Sequence, residues 1–320
     1  MELKFTDENR FTESPMEKNP QEEAFAHDWE ILLSRHTGAP WELLREMFVE
    51  LSFSIGEGQN KNPELLTALK RGILPSYPQG AWEPAAPEGI LVYLHPTPAG
   101  RLPIIECESD ADFIRLLQSL VYRCEPRLVP DSRGAAIIKN YNNWARINMH
   151  RNSLTAGIPE DPALYRDYIA LLSHRYYSGV NPEVFGLKSA EWRQKSLILR
   201  REHEVAHYMT QRFYHSAKNE IHDEIIADFM GLTAAFGDYD PAKFLTFLGL
   251  ECYPDYRLGG RLEIYLPTGD KNFSLLCETL PQVAQNIAAY YEKTGGDRIR
   301  MFHALCRTSV ADIARGKLYE

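Results

Sequence analysis

Residues 201–208 read Arg-Glu-His-Glu-Val-Ala-His-Tyr and contain an H-E-x-x-H pattern: His203, Glu204 and His207. On a helix, positions four apart lie nearly above one another, because 3.6 residues make a turn. Two imidazoles so spaced can grip one metal ion from a single helix face. Glu204 projects about 100° away from His203. Its carboxylate then stands beside the ion's open position, where it can take a proton from a bound water. A second stretch, residues 219–231, holds Glu224 and Asp228, again four apart and on one face of an expected helix. A catalytic zinc needs three protein ligands and one open position. Glu224 supplies the third ligand in this reading. Asp228 hydrogen-bonds the outer nitrogen of a ligand histidine and fixes its orientation. Asp223 or Glu220 takes the place of Glu224 if the helix phase is shifted.

The two stretches together, His203-Glu204-Val205-Ala206-His207 and Glu224-Ile225-Ile226-Ala227-Asp228, resemble the gluzincin zinc metallopeptidases. That group carries H-E-x-x-H followed by E-x-x-A-D or E-x-x-x-D on a later helix. The resemblance covers residues 203–228 only. It implies zinc as cofactor, His203, His207 and Glu224 as ligands, Glu204 as general base and Asp228 behind a ligand. It also implies a zincin-like α+β core, with a small sheet before the metal helix and a mostly helical C-terminal lobe, acting on a peptide or protein substrate. Gluzincins usually add a Tyr or His that stabilises the oxyanion. Tyr208, Tyr214, His215, His222 and the tyrosines of the C-terminal helices are all candidates. The alternative is a regulatory or interaction protein that holds zinc without catalysis. A third possibility is a helical scaffold with no metal.

The elements must bring the two stretches face to face. Ser189 is positioned to cap a long helix with Ile198, Val205, Met209 and Phe213 as its buried stripe and Arg200, Arg201 and Glu202 towards solvent. Residues 214–219 form the turn, and Gly231 suits a close approach of the returning helix. Upstream, residues 23–53 and 63–72 read as helices, with Pro40 in a first turn. The proline-rich 74–88 reads as a surface connection. Gly89–His95 and Leu102–Cys107 predict a hairpin, followed by a helix over 110–123. A second strand pair is expected at Ala135–Lys139 and Ala145–His150, with 145–150 either an edge that holds the substrate or an interior strand. Residues 161–177 read as a helix on the spacing of Leu164, Tyr168, Leu171, Leu172 and Tyr176. After Gly237, helices are expected at 241–250, 272–293 and 297–315. Between them lies a polar link with a short strand at Leu262–Leu266. The expected divisions are a loose tail over 1–22, which becomes an ordered arm if Phe5, Phe11 and Met16 pack, an α+β region over 23–180, and a zinc-bearing helical region over 181–320.

Composition narrows the function further. A length of 320 residues suits one large or two ordinary domains. A net charge of −9 argues against broad binding to nucleic acid or anionic membranes. No apolar run approaches the roughly 18 residues of a membrane span. The first ten residues lack the apolar stretch of a secretory signal. Five scattered cysteines, none in a C-x-x-C pair, suggest buried thiols in a reducing, cytoplasmic setting rather than a disulfide framework. Oligomeric state is left open.

Overall fold

The computed structural model describes residues 9–74, 81–151, 158–216 and 221–319. The chain divides into two compact units, residues 21–174 and residues 175–320 joined by 1–20. The boundary falls after His174 rather than at 180. Phe5 and Glu220 lie outside the described residues.

The unit 21–174 starts with α1 (Ala24–Arg35), α2 (Pro40–Met47) and α3 (Pro63–Arg71). Pro40 and Pro63 open their helices, where the missing N–H costs nothing. Next come β1 (Ile90–His95), β2 (Leu102–Cys107), α4 (Asp110–Leu120), β3 (Ala135–Asn142), α5 (Trp144–His150) and β4 (Arg166–Ser173). The four strands form one sheet in the order β1-β2-β4-β3. β1 and β2 make the expected hairpin, Ile90 opposite Cys107 and His95 opposite Leu102. β2 runs parallel to β4, and β3 antiparallel to it.

Two expectations for this unit are corrected. Residues 145–150 are helical, so they cannot be a substrate-holding edge strand. The Asn143 side chain accepts from the Arg146 N–H and starts the helix. The same turn sends Arg146 inward, fully buried, to Asp28 at 2.8 Å and Asp167 at 2.6 Å. Residues 166–173 are a strand rather than a helix. β4 sits inside the sheet, with Ile169 to Leu172 all buried. A strand covered on both faces reads as a continuous apolar run, which also satisfies helical spacing.

The second unit is mostly helical: α6 (Ser189–Tyr214), α7 (Ile221–Phe236), α8 (Pro241–Leu248), α9 (Leu262–Tyr265), α10 (Phe273–Lys293), α11 (Arg298–Arg307) and α12 (Val310–Ala314). α6 and α7 pack antiparallel, with Leu199 against Gly231 and His203 against Asp228. A Cβ on Gly231 would lie 2.6 Å from the Leu199 carbonyl oxygen, so only glycine permits this approach. His215 ends α6 in the left-handed region, at φ 55°. Residues 262–265 are a helical turn, not the expected strand.

Residues 9–20 belong to this unit as an ordered arm. Asn9 donates to the Cys306 carbonyl at 3.0 Å, and Glu17 N–H donates to Phe213 O at 2.8 Å. Phe11 is buried edge-on against His222 and Tyr214. Burying that ring offsets the ordering cost that a polar tail would not repay.

Candidate metal centre

α6 carries His203 and His207 one turn apart, and their Nε2 atoms stand 3.1 Å from each other. α7 brings up Glu224, with Oε2 3.4 Å from His203 Nε2 and Oε1 3.6 Å from His207 Nε2. Donors at about 2.0–2.2 Å from a tetrahedral zinc lie about 3.3–3.6 Å apart. The two separations to Glu224 match that spacing, and the 3.1 Å between the imidazoles is slightly shorter. Among the described residues, the three side chains are the group that could hold a metal. Glu204, next to His203, is half-buried on the same helix and close enough to His207 to act on its charge.

The outer nitrogens are also committed. His203 Nδ1 lies 3.0 Å from Asp228 Oδ1, and His207 Nδ1 lies 2.9 Å from Asp223 Oδ2. An ionised carboxylate only accepts, so each Nδ1 carries its proton outward and Nε2 is the atom each ring turns to the other and to Glu224. Asp223, considered from sequence as a rival ligand, thus stands behind a histidine instead of among the donors. Thr210 Oγ1 donates to the other Asp223 oxygen at 3.3 Å.

Further residues complete the surroundings. Tyr177 OH donates to Asp228 Oδ1 at 2.6 Å and lies 2.9 Å from His203 Nδ1. Arg261 donates to Tyr177 OH at 2.7 Å and pairs with Asp228 Oδ2. Tyr265 OH donates to Glu224 Oε2 at 2.7 Å. Sequence reading missed Tyr177, Arg261 and Tyr265. They reach their partners across separations of 51 residues for Tyr177–Asp228, 33 for Arg261–Asp228 and 41 for Tyr265–Glu224. No helical spacing signals such pairs.

Of the expected oxyanion candidates, His215 is exposed at the end of α6, and three others are engaged elsewhere or buried. Tyr214 OH pairs with His303, His222 with the Leu305 carbonyl, and Tyr208 is fully buried. Arg200, expected at the solvent, is buried and donates to the Arg175 carbonyl at 3.0 Å.

Charge in the cluster is unbalanced without a cation. Glu204, Asp223, Glu224 and Asp228 gather around two imidazoles and one guanidinium. Burial opposes ionisation of Glu224, yet His203 and His207 hold its carboxyl far below the ordinary range. Burial likewise works against charge on His207, but Asp223 and Glu224 outweigh it and push the imidazole up to about 10. His203 is raised for the same reason, through Asp228 and Glu224. Asp228 is lowered against its burial by Arg261 and His203. Such a site attracts positive charge, whether as protons or as a divalent ion.

A family model described as a family of unknown function, DUF7005, matches residues 1–317. The chain belongs to DUF7005. The match takes in both units of the DUF7005 fold and the entire cluster. No curated protein and no solved structure matches the chain. Membership in DUF7005 assigns no chemistry by itself, so the cluster has to be read from its geometry. Among the described residues, no helix is long and apolar enough to cross a membrane.

Proposed function

We propose that this DUF7005 protein is a zinc-dependent hydrolase, a gluzincin-like metallopeptidase that cleaves peptide bonds with Glu204 as general base. One observation carries the reading. Two Nε2 atoms and the two oxygens of the Glu224 carboxylate converge, with separations of 3.1–3.6 Å, while other carboxylates hold both Nδ1 atoms from behind. His203, His207 and Glu224 hold the ion. Three ligands leave a fourth position open, as catalytic zinc requires and structural zinc does not. Bound zinc supplies Lewis acidity and lowers the pKa of a water to about 7. Glu204 takes the proton of the attacking water and delivers it to the leaving amine. Asp228 and Asp223 keep the two imidazoles in the ligating tautomer, and Tyr265 orients the Glu224 carboxylate. A reducing, cytoplasmic setting belongs to the same proposal, supported by five free cysteines.

A second reading, a metal protein without catalysis, is favoured by the depth of the cluster. The three donors are only 5–7% exposed. Glu204→Gln separates the two readings. The wild type and the variant should both retain about one zinc. Only the wild type should cleave a mixed peptide library, with the variant slower by about 100-fold or more. Zinc retention without hydrolysis in the wild type moves the conclusion to the second reading.

A further inference from the structure

The metal cluster takes two of its carboxylates from the end of a helix. α7 starts at Ile221, so Asp223 and Glu224 both lie in its first turn. Helix ends carry unpaired N–H groups and fray, so a ligand placed there is held only as firmly as that turn. Yet both side chains are buried, Asp223 behind His207 and Glu224 between the two histidines. Contacts from outside α7 have to fix the turn.

His222 belongs to the same turn and is held by two neighbours. Its Nε2 donates to the Leu305 carbonyl of α11 at 2.9 Å. Its ring meets Phe11 of the arm edge-on, with centroids 5.1 Å apart and planes at 75°. The arm is tied down around that contact. Asn9 donates to the Cys306 carbonyl at 3.0 Å, and the Glu17 N–H donates to the Phe213 carbonyl at 2.8 Å. Phe11 also lies edge-on to Tyr214, at 6.0 Å. These anchors stand on the last turns of α6 and α11. Burial, and then the charge of Asp223, push the Cys306 thiol up, which places the end of α11 beside the carboxylate that orients His207.

We propose that the arm 9–20 is a strap that sets the metal affinity of the centre, with Phe11 as a positioning residue that acts through His222 on Asp223 and Glu224. The proposal rests on the metal-centre reading and not on hydrolysis. All the residues invoked belong to the unit formed by 1–20 and 175–320. Lifting the arm frees the first turn of α7 on one side and loosens the grip on the ion without altering a ligand. The arm is therefore a handle through which metal loading is regulated. If the arm only adds general stability to the unit, its loss lowers the melting temperature and leaves the affinity of the folded chain unchanged.

Chelator competition for zinc on the full chain tests this, beside thermal unfolding of the metal-free protein. Phe11→Ala should weaken zinc binding by about tenfold. Asn9→Ala, which releases one tie of the arm from a half-buried position, should weaken it in the same direction by less. Phe236→Ala is the comparison. Phe236 lies at the opposite end of α7, packed against Phe185 and Trp192. Its loss should lower the melting temperature and leave zinc affinity as in the wild type. Equal affinity in the wild type and Phe11→Ala, or an equal loss in Phe236→Ala, overturns the strap while the metal centre stands. A wild type that holds no zinc overturns the metal centre and the strap together. If Phe11→Ala does not fold, Asn9→Ala decides alone, and an affinity equal to that of the wild type overturns the proposal.

Discussion

Each histidine of the cluster is held from behind by its own carboxylate, Asp228 for His203 and Asp223 for His207. The i,i+4 spacing made His203, His207, Glu224 and Asp228 legible in sequence, because helical geometry alone puts each pair on one face. Asp223 was visible only as a rival ligand, since its role depends on which way α7 turns relative to α6. Asp223→Asn keeps the shape but removes the charge that orients His207. Metal affinity should fall by about 10–100-fold, measured by competition with a chelator. The pH response follows from His207. In the metal-free chain its imidazole is raised to about 10, so its protonated form stabilises the fold fully below its ordinary value near 6.5. That stability is lost as pH rises through the folded value. Metal binding needs the neutral imidazole and grows stronger over the same range. The gap in melting temperature between zinc-loaded and chelator-treated protein should therefore widen from about pH 6 to pH 9. A constant or narrowing gap contradicts ligation by His207.

At the scale of elements, the cluster depends on how closely α6 and α7 approach. The close approach expected at Gly231 is present, with the Leu199 carbonyl directly opposite. Gly231→Ala sets two effects against each other. Alanine favours the helix by about 1 kcal/mol. The added methyl, however, meets a backbone oxygen at 2.6 Å that cannot swing aside. Overpacking of this kind costs roughly 1–3 kcal/mol, so the clash wins. Thermal unfolding should show a less stable protein, and zinc affinity should drop as Glu224 and Asp228 move off the histidines. An unchanged affinity would separate the packing from the site. The hairpin β1–β2 was readable because its strands are short and joined by a turn-rich stretch. β4 was not, since its burial on both faces erases the alternation that marks a strand. The turn bearing Arg261 and Tyr265 was read as a link with a short strand, because only its tertiary partners reveal its purpose.

The whole molecule divides at a place the sequence does not mark. Residues 9–20 join the C-terminal unit through Phe11, Asn9 and Glu17, contacts formed with partners about 200 to 300 positions away, beyond the reach of any local pattern. Composition set the broad class, and the motif set the candidate ligands. The assembly of the centre from three separate stretches, 177, 203–228 and 261–265, required the fold. The proposed hydrolysis depends on an ion at His203, His207 and Glu224. The most direct measurement is the metal content of the full chain after zinc reconstitution and desalting, beside that of a chain carrying His203→Ala and His207→Ala. About one zinc per wild-type chain is expected, and none in the variant. A wild-type chain without stoichiometric metal, or a variant that retains it, would contradict the metal centre.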